Sequence, residues 1–353
     1  MQKQFIQKSL KTNKFFAYLT ATAFLIVAIL LGISIGTVYI PVWSIIQIIG
    51  AEIFHFISLD QVDSMHINIV MNIRLPRVLL AGLVGAALAI AGAAFQGLLR
   101  NPLADPYTLG VSSGASVGAV LTIFFNISIP FVGGFTLPVL SIVCSFLTII
   151  CVLAFARKIE RSMKVETIIL TGIIFSSFLG AIISLMISLT GEELRQIIGW
   201  LLGSVSMRGW AYIKIILPFL LIGTVILLVN AKELNAMSFG EERAHHLGVN
   251  VQKRKLLILT AGSILTGAAV AVSGTIGFVG LVIPHLARQL WGPDHRHLLP
   301  LSIISGGGFL ILADLVSRTI ISPTELPIGV ITALIGAPVF AVILIKRRTE
   351  RGG

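Results

Sequence analysis

The sequence predicts an all-α polytopic membrane protein of about ten transmembrane helices, forming one transmembrane domain over residues 1–353. Three observations carry this. The chain is 56% hydrophobic and only 12% charged, with mean hydropathy +0.98, whereas about a quarter of a soluble domain is charged. Apolar runs long enough to cross a ~30 Å hydrocarbon layer as helices alternate with polar breaks, and Lys and Arg gather at alternate breaks. An octapeptide rich in Gly and Ala also occurs twice, as GAALAIAG over Gly85 to Gly92 and as GAAVAVSG over Gly267 to Gly274.

The other class signals agree. A net charge of +11 is of the size found in nucleic-acid binders, but the cations sit in short clusters between apolar runs rather than on one face, so no nucleic-acid partner is expected. Cys144 and Cys151 share one apolar span two helical turns apart, which suits neither a disulfide nor a metal site. The first apolar run is too long for a signal-peptide core and reads as a span.

Taken in order, a basic tail over 1–15 with Lys3, Lys8, Lys11 and Lys14 precedes span 1, Phe16 to Val38. Residues 39–73 lack Lys and Arg until the Arg74 boundary and read as an external loop. Span 2 runs from Pro76 to about Leu99, with Pro at a first helical position. Asn101, Pro102, Asp105 and Pro106 break the chain before span 3, Thr108 to Phe125, where Gly110, Gly114 and Gly118 predict a packing seam. Span 4, Thr136 to Ala156, ends in Arg157, Lys158, Arg161 and Lys164, a cytoplasmic signature. Span 5 covers Glu166 to Leu189, and the amphipathic Leu194 to Val205 is expected to lie flat on the outer surface. Span 6 is Trp210 to Val229.

The polar stretch 232–255 follows. Ser238 with Glu241 three positions on predicts a capping box, Glu241 and Glu242 fill a first turn, His245 and His246 a last one, and Gly248 a C-terminal stop. A short cytoplasmic surface helix is the expectation. Spans 7 (Leu256 to Thr275), 8 (Gly277 to Trp291), 9 (Leu298 to Val316) and 10 (Ile328 to Ile345) complete the chain, with Lys346, Arg347, Arg348 and Arg351 closing it. Both termini are therefore predicted to be cytoplasmic.

Five spans separate the two octapeptides, and five is odd, so the halves read as inverted copies with Gly85, Gly92, Gly267 and Gly274 at helix contacts. Such repeats make a path that opens to one side and then the other. Acidic residues cluster at span ends rather than in mid-membrane, which leaves an ion-driven carrier without a visible proton relay. No GxxxxGK[ST] phosphate loop and no HExxH metal site is present, so any ATP must be hydrolysed on another polypeptide and no cofactor is expected on this one.

Four blocks sharpen the reading: RLPRVLLAGLVGAALAIAGAAFQGLLRNPLADPYTLGVSSGASVG, GEERAHHLGV, SGTIGFVGLVIPHLARQLWGPDHRHLLP, and ADLVSR followed by PTELPIGVITALIGAPVF. In order, over Arg74 to Ile345, they resemble the permease subunits of iron-siderophore, haem and vitamin B12 ABC importers, the FecCD-type (type II) family. The resemblance implies ten spans, a permease homodimer or heterodimer, two cytoplasmic ATPases carrying ATP-Mg, and an extracellular or periplasmic substrate-binding protein. It assigns binding-protein docking to Arg74, Arg77 and Arg318, and ATPase coupling to Ser238 through Gly248. Within that stretch Glu241, Glu242 and Arg243 supply polar contacts, and Phe239 and Leu247 packing. His285, His295 and His297 are read as structural, with no metal site. The implied cargo is a bulky chelate, a ferric siderophore ahead of cobalamin or haem, on a path lined by spans 5 and 10 at the dimer interface. An ion-coupled secondary transporter is the alternative of another class.

Overall fold

The computed structural model describes residues 14–52 and 63–349. Lys3, Lys8, Lys11 and Arg351, and the side chains of Lys346, Arg347 and Arg348, lie outside the described residues. Helices α1 (Lys14–Ser34), α2 (Val42–Glu52) and α3 (Ser64–Leu98) open the fold. α4 (Val111–Phe124), α5 (Thr136–Ile159), α6 (Val165–Leu189) and the short α7 (Leu194–Leu201) follow. α8 (Gly209–Val229), α9 (Ala231–Ser238) and α10 (Glu241–His246) lead to α11 (Val251–Ser273), α12 (Val279–Trp291), α13 (His295–Thr319) and α14 (Ile328–Thr349).

Two expectations are revised at the start. The segment read as an external loop holds the apolar α2, and α3 begins at Ser64, well before Pro76, passing through a π-helical stretch at Ile69–Arg74. That stretch frees backbone carbonyls, one of which, on Met71, accepts a hydrogen bond from the Trp210 indole at 2.9 Å. α7 is amphipathic, with Leu194, Arg195, Gln196 and Ile198 exposed. Its Ile197 and Trp200 are buried against Ala115, Ala119 and Val120 of α4.

The centre is made by α3 and α11, the two helices that carry the repeated octapeptide, and both are almost wholly buried. Small residues allow this approach. A Cβ on Gly85 would fall on the carbonyl of Gly306 in α13, and one on Gly92 on the carbonyl of Gly280 in α12, both well inside 3.0 Å. Gly267 faces Ser145 of α5 equally closely, while Gly274, at φ +72°, lies against the Trp200 carbonyl. Helix pairing follows the repeat. α3 packs on α13 and α12 as α11 packs on α5 and α4, and the contacts α4 with α5, α4 with α6 and α5 with α6 recur as α12 with α13, α12 with α14 and α13 with α14. Gly85 on α13 and Gly267 on α5 thus occupy corresponding contacts of the two halves.

Spans 3 and 8 differ from expectation in length. At about 1.5 Å per residue, α4 with 14 residues and α12 with 13 reach only about 20 Å, short of a ~30 Å core. Among the described residues seven helices are long and apolar enough to cross. Both short helices begin at a left-handed residue, Gly110 at φ +79° and Phe278 at φ +68°. Tyr107, just ahead of α4, joins the two starts: its hydroxyl donates to the Ile276 carbonyl at 2.9 Å and accepts from the Ile276 amide at 2.8 Å. This is the broken-helix arrangement in which irregular backbone within a bundle finds protein partners. The predicted glycine seam divides accordingly. Gly114 and Gly118 abut backbone of α5, whereas Gly110 is needed for its backbone angle, since a Cβ there meets only ordinary contacts.

Candidate functional site

Arg74 and Arg77 on α3 and Arg318 on α13 do come together, at the end that the charge pattern assigns to the outside. The Arg74 guanidinium, 4% exposed, donates to the carbonyls of Ile33 at 2.7 Å and Ser34 at 2.9 Å, and also to Val38. Arg318 donates to the Gly32 carbonyl. These are the carbonyls a helix leaves without partners at its C-terminus, where the dipole favours a cation, so two arginines cap α1. Arg77 makes a two-pronged contact with Asp314 at 2.9–3.1 Å and a second with Glu325 at 2.7 Å. Asp314 is buried and also lies 3.7 Å from Arg318. All three side chains are largely buried, Arg77 and Arg318 against Asp314 and Arg74 on backbone carbonyls. A guanidinium left uncompensated in such surroundings would be costly. Sequence reading set Asp314 aside as a span-end acid, although its i,i+4 spacing to Arg318 was a usable signal.

Glu325 is the open side of this cluster. Its side chain is 40% exposed. Partial burial pushes its carboxyl up, but the Arg77 hydrogen bond and charge outweigh this and leave it below its ordinary value of 4.5. A depressed acid stabilises the fold above its unfolded pKa and loses that contribution as pH falls through the folded one. The difference in unfolding midpoint between the wild-type chain and Glu325→Gln is therefore expected to be largest near neutral pH, to close on acidification below 4.5, and to correspond to less than about 1 kcal/mol because of solvent screening.

At the opposite end α9 and α10 form the expected surface element, with one correction. There is no capping box: Ser238 ends α9 and its hydroxyl donates to the Leu234 carbonyl at 2.8 Å, while Gly240, at φ +119°, precedes α10 without a side-chain cap. Glu241 is drawn to Lys255 at 2.6 Å instead. Gly248 does end the helix, at φ +83°. Ala244 is buried beneath α10, leaving Glu242 and Arg243 exposed together with Phe239 at 68% and Leu247 at 71%.

The histidines serve separate helix contacts. His295 pairs through Nδ1 with Asn235 of α9 at 2.8 Å, His297 with Tyr18 of α1 at 3.3 Å, and His285 with Gln289 at 3.1 Å. Just outside α13, Asp294 is held well below the usual carboxylate range by hydrogen bonds from Arg296 and Asn235. Gln96 escaped the sequence reading. Buried on α3, it donates to the Leu281 carbonyl at 3.0 Å and accepts from Arg288 at 3.0 Å, fixing the first turn of α12. A shallow apolar concavity of about 450 Å³ opens between α7, the start of α12 and α14, lined by Leu201, Leu202, Thr275, Gly277, Val330 and Leu334.

A bundle of apolar helices with two central copies of one small-residue motif, two broken spans and a charged surface helix defines a multi-pass membrane permease. Comparison with known proteins specifies which. The chain matches the FecCD transport family over residues 24–346 and belongs to it. It is 62% identical, over 100% of its length and 99% of the relative's, to the uncharacterized ABC transporter permease protein YvrB of Bacillus subtilis. To the cobalamin import system permease protein BtuC of Halobacterium salinarum it is 44% identical over 80% of this chain and 74% of that one. A solved inward-facing conformation of a putative metal-chelate type ABC transporter superposes with a TM-score of 0.80 at 35% identity, covering 93% of this chain and 98% of that chain. The chain is thus a permease subunit of the ABC-importer class, embedded in a bacterial membrane.

Proposed function

We propose that this chain forms the membrane pathway for a bulky metal chelate, a ferric siderophore in the first instance, with ATP-Mg hydrolysed on two separate cytoplasmic ATPase subunits. The single observation that carries the reading is the superposition on a metal-chelate type transporter along nearly the whole chain. The absence of a phosphate-binding loop from the sequence and the exposed Phe239 and Leu247 beside α10 support an external engine that docks there. The pathway lies between two permease copies, identical or not, along α6 and α14, whose exposed apolar faces include Ile173, Phe178, Leu334 and Ile335. Such walls offer no ligand to retain a metal.

Docking of a substrate-binding protein from outside is part of the proposal. Since Arg77 holds one buried and one half-exposed carboxylate, the exchangeable partner is Glu325, which an acidic residue of the binding protein replaces. The charge bias supports a cytoplasmic position for both termini. Cobalamin, the cargo in the name of the Halobacterium salinarum relative, is the competing cargo. Uptake of radiolabelled ferric siderophores and of radiolabelled cobalamin by cells lacking this chain decides between them. Loss of siderophore uptake with normal cobalamin uptake is the expected result; the reverse selects cobalamin, and normal uptake of both defeats the proposal.

A further inference from the structure

Lys255 is the least expected residue of the cytoplasmic region. It stands on the second turn of α11, is completely buried, and donates from one ammonium to Glu241 Oε1 at 2.6 Å and to the Met163 carbonyl at 3.0 Å. Burying an ammonium is expensive, and a well-packed apolar side chain of similar volume is often neutral or better for stability. A point charge with several donors adds something an apolar side chain lacks: it holds two separate pieces of chain at fixed distances from one atom.

The two pieces are informative. Glu241 begins α10, the surface helix. Met163 lies in the turn between α5 and α6, at a left-handed φ of +46°, two residues before α6 starts at Val165. That turn is stiff, because Glu160 ties it together, pairing with Lys164 at 2.7 Å and accepting from Ser162 and Thr167, each at 2.8 Å. Thr167 is already inside α6, so a displacement of the Met163 carbonyl reaches the helix without slack. The neighbouring Arg254 serves other partners, Asn230 at 2.9 Å and Glu233 at 3.2 Å, at the junction of α8 and α9. α10 and the start of α6 therefore share one anchor, and the α8–α9 junction has a different one.

We propose that Lys255 is a positioning residue that transmits movement of α10 to the first turn of α6, a wall of the pathway, through the Glu241–Lys255–Met163 chain of contacts. The role in transport rests on the reading that α10 meets an ATPase; the mechanical link does not. Hydrogen exchange on the purified chain tests the link. Glu241→Gln alters a half-exposed residue of the surface helix, yet exchange over 160–168 should rise relative to the wild-type chain; unaltered exchange there overturns the proposal.

The importer purified whole from its native membrane through a tag on this chain, and placed in vesicles, tests the consequence. Glu241→Gln and Lys255→Met should each lower uptake per ATP hydrolysed about fivefold or more, the range of ordinary coupling energies. A wild-type ratio in Glu241→Gln refutes the role, and that variant decides alone should Lys255→Met fail to assemble. If the wild-type chain brings no ATPase with it, the importer reading fails while the exchange result still judges the link.

Discussion

Replacing Asp314 with alanine is expected to destabilise the protein by about 3–5 kcal/mol, the usual consequence of removing one partner from a buried ionic cluster. Asp314 is 1% exposed and faces both Arg77 and Arg318. Without it two guanidiniums remain in the packing between α3 and α13, with Glu325 as the remaining carboxylate beside the Ser206 hydroxyl and backbone carbonyls. Solvent cannot repair this, because the arginine side chains are themselves 11% and 8% exposed. The double replacement Asp314→Leu with Arg77→Met should recover most of the loss, since a buried pair and an apolar filling of the same volume are often comparable. Thermal unfolding in detergent measures both. Equal stability of Asp314→Ala and the wild-type chain would show that the cluster is not the buried network described.

The second large effect is steric. Gly92→Ala is expected to cost about 3 kcal/mol or more, because its Cβ would overlap the Gly280 carbonyl, and backbone cannot swing aside as a side-chain end can. Gly85→Ala meets the Gly306 carbonyl in the same way. Helices α12 and α13 would have to move off α3, carrying Leu281 and Arg288 away from Gln96 and Asp314 away from Arg77. Gly180→Ala in α6 and Gly199→Ala in α7 supply the contrast. Nothing lies within 4 Å of a Cβ at either position, and relief of glycine's entropy predicts a gain of about 0.5–1 kcal/mol. A series in which all four alanines behave alike would refute the central packing.

Much of this was legible in the sequence because membrane spans advertise themselves by apolar length, and close helix contacts by glycine. The central helices, the repeat and the Gly248 stop followed from such local rules. The broken spans did not. Hydropathy marks α4 and α12 as apolar but cannot show that each starts inside the bundle, a fact set by Gly110, Phe278 and the Tyr107 hydroxyl meeting Ile276 across the fold. Long-range polar contacts were equally hidden: Arg77 with Asp314 joins residues 237 apart, and Lys255 meets the Met163 carbonyl across 92. The capping-box pattern misled because Ser238 and Glu241 each had a nearer partner, the Leu234 carbonyl and the Lys255 ammonium.

The most direct test of the account is transport by this permease in sealed vesicles, with and without its ATPase. Accumulation of ferric siderophore only when the ATPase, its binding protein and ATP are all present is the result expected of a pathway driven from outside. Accumulation by the permease alone on a proton or sodium gradient would contradict it.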